Sequence, residues 1–117
     1  MIIGIGIDLI EIERIKKACE ENPRFLERIF TERERDYCFK FKEPYEHLAV
    51  RFAGKEATFK ALGHRIGWKD VEIINEISGK PKLLIKNLEK GILPRISLSH
   101  NRTIASAVVI LEREEKF

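Results

Sequence analysis

GIGIDLIEIERI, residues 4–15, decides how the rest of the chain is read. Alternate residues of a β-strand point to opposite faces, which puts Ile3, Ile5, Ile7 and Leu9 on one side and Gly4, Gly6 and Asp8 on the other. The isoleucine side is expected to be core. The other side carries no bulk until a carboxylate appears, and glycine within a strand forfeits packing and costs entropy. It is therefore expected to be a place where something approaches the backbone. After Leu9 the apolar parity switches to Ile10 and Ile12, which a bulge, a new covering layer or the start of a helix would each explain.

Working outward, residues 13–42 have helical spacing in Ile15, Ala18, Cys19, Phe25, Leu26, Ile29 and Phe30, broken at Asn22-Pro23. Thr31 and Glu34 have the spacing of a capping box, so a helix is expected to start there and to end at Pro44. Residues 45–62, YEHLAVRFAGKEATFKAL, carry the strongest helical pattern, with Gly63 as its stop. Val71, Ile73 and Ile77, then a turn at Ser78-Gly79-Lys80-Pro81, then Leu83 and Ile85 read as a hairpin. A connection with Gly91 and Pro94 leads to a strand at 96–100, and residues 103–111, apolar on both faces, read as a central strand. One strand, then helices, then a block of strands predicts an α+β fold, an antiparallel sheet with helices packed on one side. All 117 residues form a single expected domain.

Bulk properties exclude several classes. Hydrophobic residues make up 44% and charged residues 35%, which is globular composition and not disorder. The net charge of +3 is mild, and its excess lies in residues 40–69, with seven Lys or Arg against three Asp or Glu. That admits anionic partners without indicating a nucleic-acid track. Cys19 and Cys38 form no C-x-x-C pair and read as reduced thiols. With no long apolar run and no leader-like N-terminus, the expectation is a cytoplasmic protein with no membrane partner.

Chemistry concentrates in a few residues. The G-I-G of residues 4–6 is not a dinucleotide fingerprint, because Leu9 stands where its third glycine belongs. Ser97-Leu98-Ser99-His100 lacks a nucleophile elbow, so the serines read as the polar face of a strand. Glu56 projects into the apolar arc of its helix, with Lys55 near that arc and Lys60 one turn on, in the favourable Glu-then-Lys order. An ordinary boundary ion pair is one explanation, and Asp8 taken alone reads equally as a cap for the following helix. If Asp8 instead meets Glu56, two carboxylates converge and call for a cation. Oxygen ligands of that number suit Mg2+ completed by waters and phosphates, with Lys60 on a phosphate oxygen. Arg14, Lys17, Arg24 and Arg28, with Phe25 and Leu26 interleaved, are either a solvated helix face or a groove for an acidic partner helix.

GIGIDLIEIERI, RIFTERE, RFAGKEATFKALG and ISLSH followed by IASAVV, taken in order over the whole chain, resemble the holo-acyl-carrier-protein synthases, the small bacterial 4'-phosphopantetheinyl transferases. The resemblance implies transfer of 4'-phosphopantetheine from coenzyme A to a serine of apo-acyl carrier protein, in fatty acid and lipid biosynthesis, releasing adenosine 3',5'-bisphosphate. It implies Mg2+ on Asp8 and Glu56, a phosphate on Lys60, nucleotide phosphates on Arg51 and His100, and adenine near Gly79, Lys80 and Pro81. It also implies carrier binding at Arg14, Arg24, Phe25, Leu26 and Arg28, and a homotrimer with active sites between subunits. Some relatives carry an acid directly after S-x-S-H where this chain has Asn101. The proton acceptor is therefore open, with a water activated by the cation, Glu11 or Asp36 as candidates. Two other readings of the residues stay open: a Mg2+-dependent phosphodiesterase or nuclease, and a non-catalytic adaptor for an acidic helical protein.

Overall fold

The first strand, β1 (Ile2–Glu11), faces the opposite way from the sequence expectation. Ile5, Ile7 and Leu9 are 64%, 67% and 66% exposed, and Ile3 is exposed as well, whereas Gly6 and Ile10 are buried. The inward face is thus Gly4, Gly6, Asp8 and Ile10, and the apparent parity switch is no bulge or change of layer. The irregularity in pairing falls earlier, between Ile2 and Gly4. The chain continues straight into α1 (Ile12–Glu21).

What approaches the glycines is the long helix α4 (Pro44–Leu62), and no ligand is needed to explain them. A Cβ on Gly4 would collide with the carbonyl oxygen of Ala61, and one on Gly6 with that of Ala57. Four helical residues advance about 6 Å and two strand residues about 6.6 Å, so the Gly4/Gly6 and Ala61/Ala57 spacings match along the contact. Backbone-to-backbone packing of this kind leaves no room for even one methyl group, and it fixes Asp8 relative to α4.

This computed structural model describes residues 1–115. Between α1 and α4 lie α2 (Phe25–Ile29) and α3 (Glu32–Cys38). The capping box forms as expected, with Thr31 accepting from the Glu34 N–H and Glu34 accepting from the Thr31 N–H. Pro44 does not end α3, which stops at Cys38; it sits in the first turn of α4, where its missing N–H costs nothing. Gly63 closes α4 in the left-handed conformation, φ +82°.

After a short 3-10 turn come β2 (Val71–Asn75) and β3 (Pro81–Ile85), a hairpin. Ile77 lies in its turn, fully exposed, and not in the strand. Next, β4 (Ile92–His100) starts before the expected 96 and includes Pro94, tolerated because β4 is the edge of its sheet. β5 (Ile104–Arg113) is central, in the order β1-β5-β4, and all neighbours are antiparallel. The helices lie on the inner side of that sheet, so the α+β expectation holds.

α4 is buried almost all round, by β1 and β5 on one side and by the hairpin and α3 on the other. Two charged side chains are consequently in the core. Lys55 and Glu34 are both 0% exposed and pair at 2.8 Å. Lys55 also donates to the carbonyls of Trp68 and Val71, and Glu34 accepts from the Ile73 N–H at 2.9 Å. All three Lys55 ammonium N–H groups and both Glu34 oxygens are used to join α3, α4 and β2. Burial pushes the Lys55 ammonium below its ordinary pKa, and Glu34 pulls it back up. Neither cysteine is disulfide-bonded; burial raises both thiols to about 11, which keeps them protonated.

Candidate active site

Asp8 enters the site from β1, two residues beyond the Gly6–Ala57 contact, while Glu56 is the residue before Ala57 on α4. Both side chains are largely buried, 17% and 22% exposed. Asp8 does not cap α1, whose first turn has no side-chain cap. Nor does Glu56 pair with Lys60. Lys60 instead crosses to β1, donating to the Ile7 carbonyl at 2.8 Å and to Asp8 Oδ1 at 3.3 Å. Glu56 is held by Arg65 at 3.1 Å. Each acid thus has one cationic partner, and those partners are 55% and 62% exposed, free to swing into solvent.

The donor set fits a hard divalent cation only in one way. Among the described residues no group of three or more His, Cys, Asp or Glu side chains converges, so a full protein cage is absent there. Two carboxylates from different elements, with the remaining positions left to waters and phosphate oxygens, match Mg2+. Asp8 and Glu56 are the residues that would hold such an ion.

Beside Glu56 a shallow hollow of about 340 Å³ is lined by Glu56, Phe59, Lys60, Gly63, His64 and Arg65. A larger groove of about 600 Å³ lies where β1 becomes α1, lined by residues 9–14 and 102–104. Glu11 and Arg14 are both in it. Sequence reading did not single out Arg65. Nothing in helical periodicity marks it, because it lies beyond the Gly63 stop and reaches back.

The other expected site residues are distributed more widely. Arg51 is 2% exposed, its guanidinium bonded to Asn75 and to the His47 carbonyl and lying over the Tyr37 ring. Its Nε is buried without a partner. His100 is at the end of β4, 3.7 Å from Glu46 and near His47. Burial, Arg51 and His100 together hold the His47 imidazole below its ordinary pKa, so it favours the neutral form. Gly79, Lys80 and Pro81 are at the β2–β3 turn, and Lys80 and Pro81 line a groove with Lys82 and Arg95 that Asp8, Glu56 and Lys60 do not reach. Arg14, Arg24 and Arg28 are exposed, but Phe25 and Leu26 are half-buried, Phe25 against Phe30 and Phe52. Ser97 and Ser99 point outward, as expected. Asn101 is occupied structurally, its Oδ1 accepting from Thr103 and Ile104 to close the β4–β5 turn.

A family model described as the 4'-phosphopantetheinyl transferase superfamily matches residues 4–110. The chain belongs to that superfamily. Among relatives of this transferase chain, holo-[acyl-carrier-protein] synthases of Caldanaerobacter subterraneus and Clostridium tetani are 45% and 44% identical. They align over 94% and 97% of this chain and 94% and 98% of their own lengths. A crystal structure of a holo-(acyl-carrier-protein) synthase from Bacillus anthracis in complex with CoA (3',5'-ADP) superposes with a TM-score of 0.86. It is 39% identical, with 97% of this chain and 99% of that one covered. The corresponding synthase from Neisseria meningitidis gives 0.85 at 30% identity, with 97% and 100% covered. Similarity at this level and coverage extends through both the β1 and α4 segments of the transferase.

Proposed function

We propose that this protein transfers 4'-phosphopantetheine from coenzyme A to a serine of apo-acyl carrier protein, with Mg2+ held by Asp8 and Glu56. The observation that carries the reading is the pairing of two largely buried acids, from β1 and α4, with exposed cationic side chains inside a chain of this superfamily. The serine oxygen forms a bond to the phosphorus nearest the pantetheine arm. The bond from that phosphorus to the bridging oxygen breaks, and adenosine 3',5'-bisphosphate leaves. When bound, the cation supplies charge neutralisation at the diphosphate. Lys60, anchored on the Ile7 carbonyl, turns from Asp8 to a phosphate oxygen. Much of the acceleration comes from positioning, because the close β1–α4 contact holds the two acids in fixed register. The serine proton goes to a base from this chain or to water; Glu11, exposed at the end of β1, and Asp36, exposed on α3, are the carboxylates proposed for that role.

The arginines 14, 24 and 28 steer the acidic carrier, while Phe25 and Leu26 serve chiefly to seat α2 on the core. Arg51 acts from within, and its orphaned Nε leaves it able to donate to one more hydrogen-bonding partner. Incubating apo-carrier, coenzyme A and Mg2+ with the protein, read by intact mass, should add one phosphopantetheine to the carrier. Carrier binding without that mass change supports the adaptor instead. Salt-sensitive cleavage of DNA or RNA supports the nuclease.

The outer sheet face supports a homotrimer. Ile5, Ile7 and Leu9 form an apolar stripe that none of the described residues covers, next to half-buried Val108 and Ile110. A stripe of this kind marks an interaction surface. A site shared between subunits also explains why the Gly79–Pro81 turn, expected near adenine, is distant in the chain from the acids. Light scattering should give three subunits for the wild type and one for Ile7→Glu; an unchanged mass in that variant argues against the sheet face as the interface. The cytoplasm is the proposed compartment, and no described helix is long and apolar enough to cross a membrane.

A further inference from the structure

Arg65 is a side chain at the acid pair that the proposed chemistry leaves without a role. It lies three residues past the end of α4, donates to Glu56 Oε1 at 3.1 Å and is 62% exposed. Its guanidinium is over the faces of Phe59 and Trp68, at 5.1 and 5.3 Å. Those two rings sit edge to face, 5.2 Å apart, and give the guanidinium an aromatic seat beside Glu56. The hollow it borders also holds Lys60, His64 and the backbone of Gly63, which is open on its side-chain side, with no other atom within 4 Å of where a Cβ would stand.

Two electrostatic facts make this position informative. Arg65 holds Glu56 Oε1, and a divalent cation taking the same carboxylate would share its one negative charge and repel the guanidinium, which weakens the Arg65 contact. The hollow also lies at the C-terminal end of α4, where the helix dipole is negative and repels an anion. An anionic co-substrate placed there needs side-chain cations, and Lys60 and Arg65 line it together with His64.

We propose that Arg65 is a relay cation: it neutralises Glu56 while the cation site is empty, is released when a divalent cation takes Glu56, and then binds the diphosphate of the co-substrate. The inference rests on the reading of Glu56 as a metal ligand. It makes the two binding events cooperative, since the first frees the donor that the second uses. Arg65 is thus a binding and positioning residue for the anionic co-substrate.

Calorimetry on the intact protein with Mn2+ alone tests the first half. Arg65→Gln, which keeps a polar side chain and removes the charged competitor, should bind Mn2+ about two- to fivefold more tightly than wild type, the size of a partly exposed ion pair. With Mn2+ saturating, the same variant should bind coenzyme A about tenfold more weakly, as expected for loss of a hydrogen bond to a charged group. The chain's single tryptophan is Trp68, so its emission should change on adding Mg2+ alone to the wild type and not to Arg65→Gln. Unchanged Mn2+ affinity, unchanged coenzyme A affinity or an unresponsive Trp68 in the wild type each overturns the relay. Glu56→Gln separates the two levels of the account. If it binds Mn2+ like the wild type, the metal reading itself fails; if it loses Mn2+ while Arg65→Gln matches wild type, only the relay fails.

Discussion

Glu34→Ala should destabilise the protein by about 3–5 kcal/mol, the cost of leaving a buried charge uncompensated. Lys55 is then 0% exposed with two carbonyls but no counter-charge. The Ile73 N–H and the Thr31 N–H each lose an acceptor as well. Against a total stability of about 5–15 kcal/mol for an ordinary domain, that loss is a large share. Lys55→Met alone should cost a similar amount, because Glu34 is equally buried. The double variant Glu34→Leu with Lys55→Met should lose much less than the sum, since two apolar side chains of suitable volume replace a pair whose desolvation was already costly. Urea denaturation of the three variants measures this directly. Single variants within about 1 kcal/mol of wild type would show that the pair is not isolated from water.

The same pair shows where the sequence is hard to read. Glu34 is recognisable as half of a capping box, which predicts an exposed helix start; its second oxygen reaches a strand 39 residues away, and no local pattern reports that. Lys55 and Glu56 are adjacent in K-E-A, yet the first is wholly inside and the second faces the site. Helical projection places both near the apolar arc without telling which one finds a buried partner. The opening strand departs from its expected orientation for a related reason. Isoleucine alternation signals an apolar face but does not say whether the chain's own core or another subunit covers it. The glycines are the better guide, since a backbone cleared of Cβ atoms requires a close neighbour, and Ala57 and Ala61 supply it.

Element order, the capping box, the Gly63 stop and the central strand β5 are all legible, because each depends on short-range chemistry. Asp8 and Glu56 are legible as oddities, a charge on a cleared strand face and a charge in an apolar arc. Their present partners are not. Lys60 skips its i−4 neighbour for a carboxylate on β1, and Arg65 folds back over Phe59 and Trp68 to reach Glu56. Long side chains choose partners by tertiary position, and spacing in the sequence constrains them weakly.

The second large effect concerns the two acids together. Asp8→Asn and Glu56→Gln keep the shape of each side chain and remove one negative charge, so both variants should fold and each should reduce transfer by about a hundredfold or more. If both carboxylates hold one cation, losing either removes most of its hold, and groups that act as one unit do not lose rate independently. The decisive measurement is therefore the transfer rate, by carrier mass, of the wild type, the two single variants and the double variant at one fixed Mg2+ concentration. A double variant no slower than the slower single variant is the result expected if both acids serve one cation. Single variants that transfer at the wild-type rate, or a double variant whose loss is the product of the two single losses, would contradict a shared ion between β1 and α4.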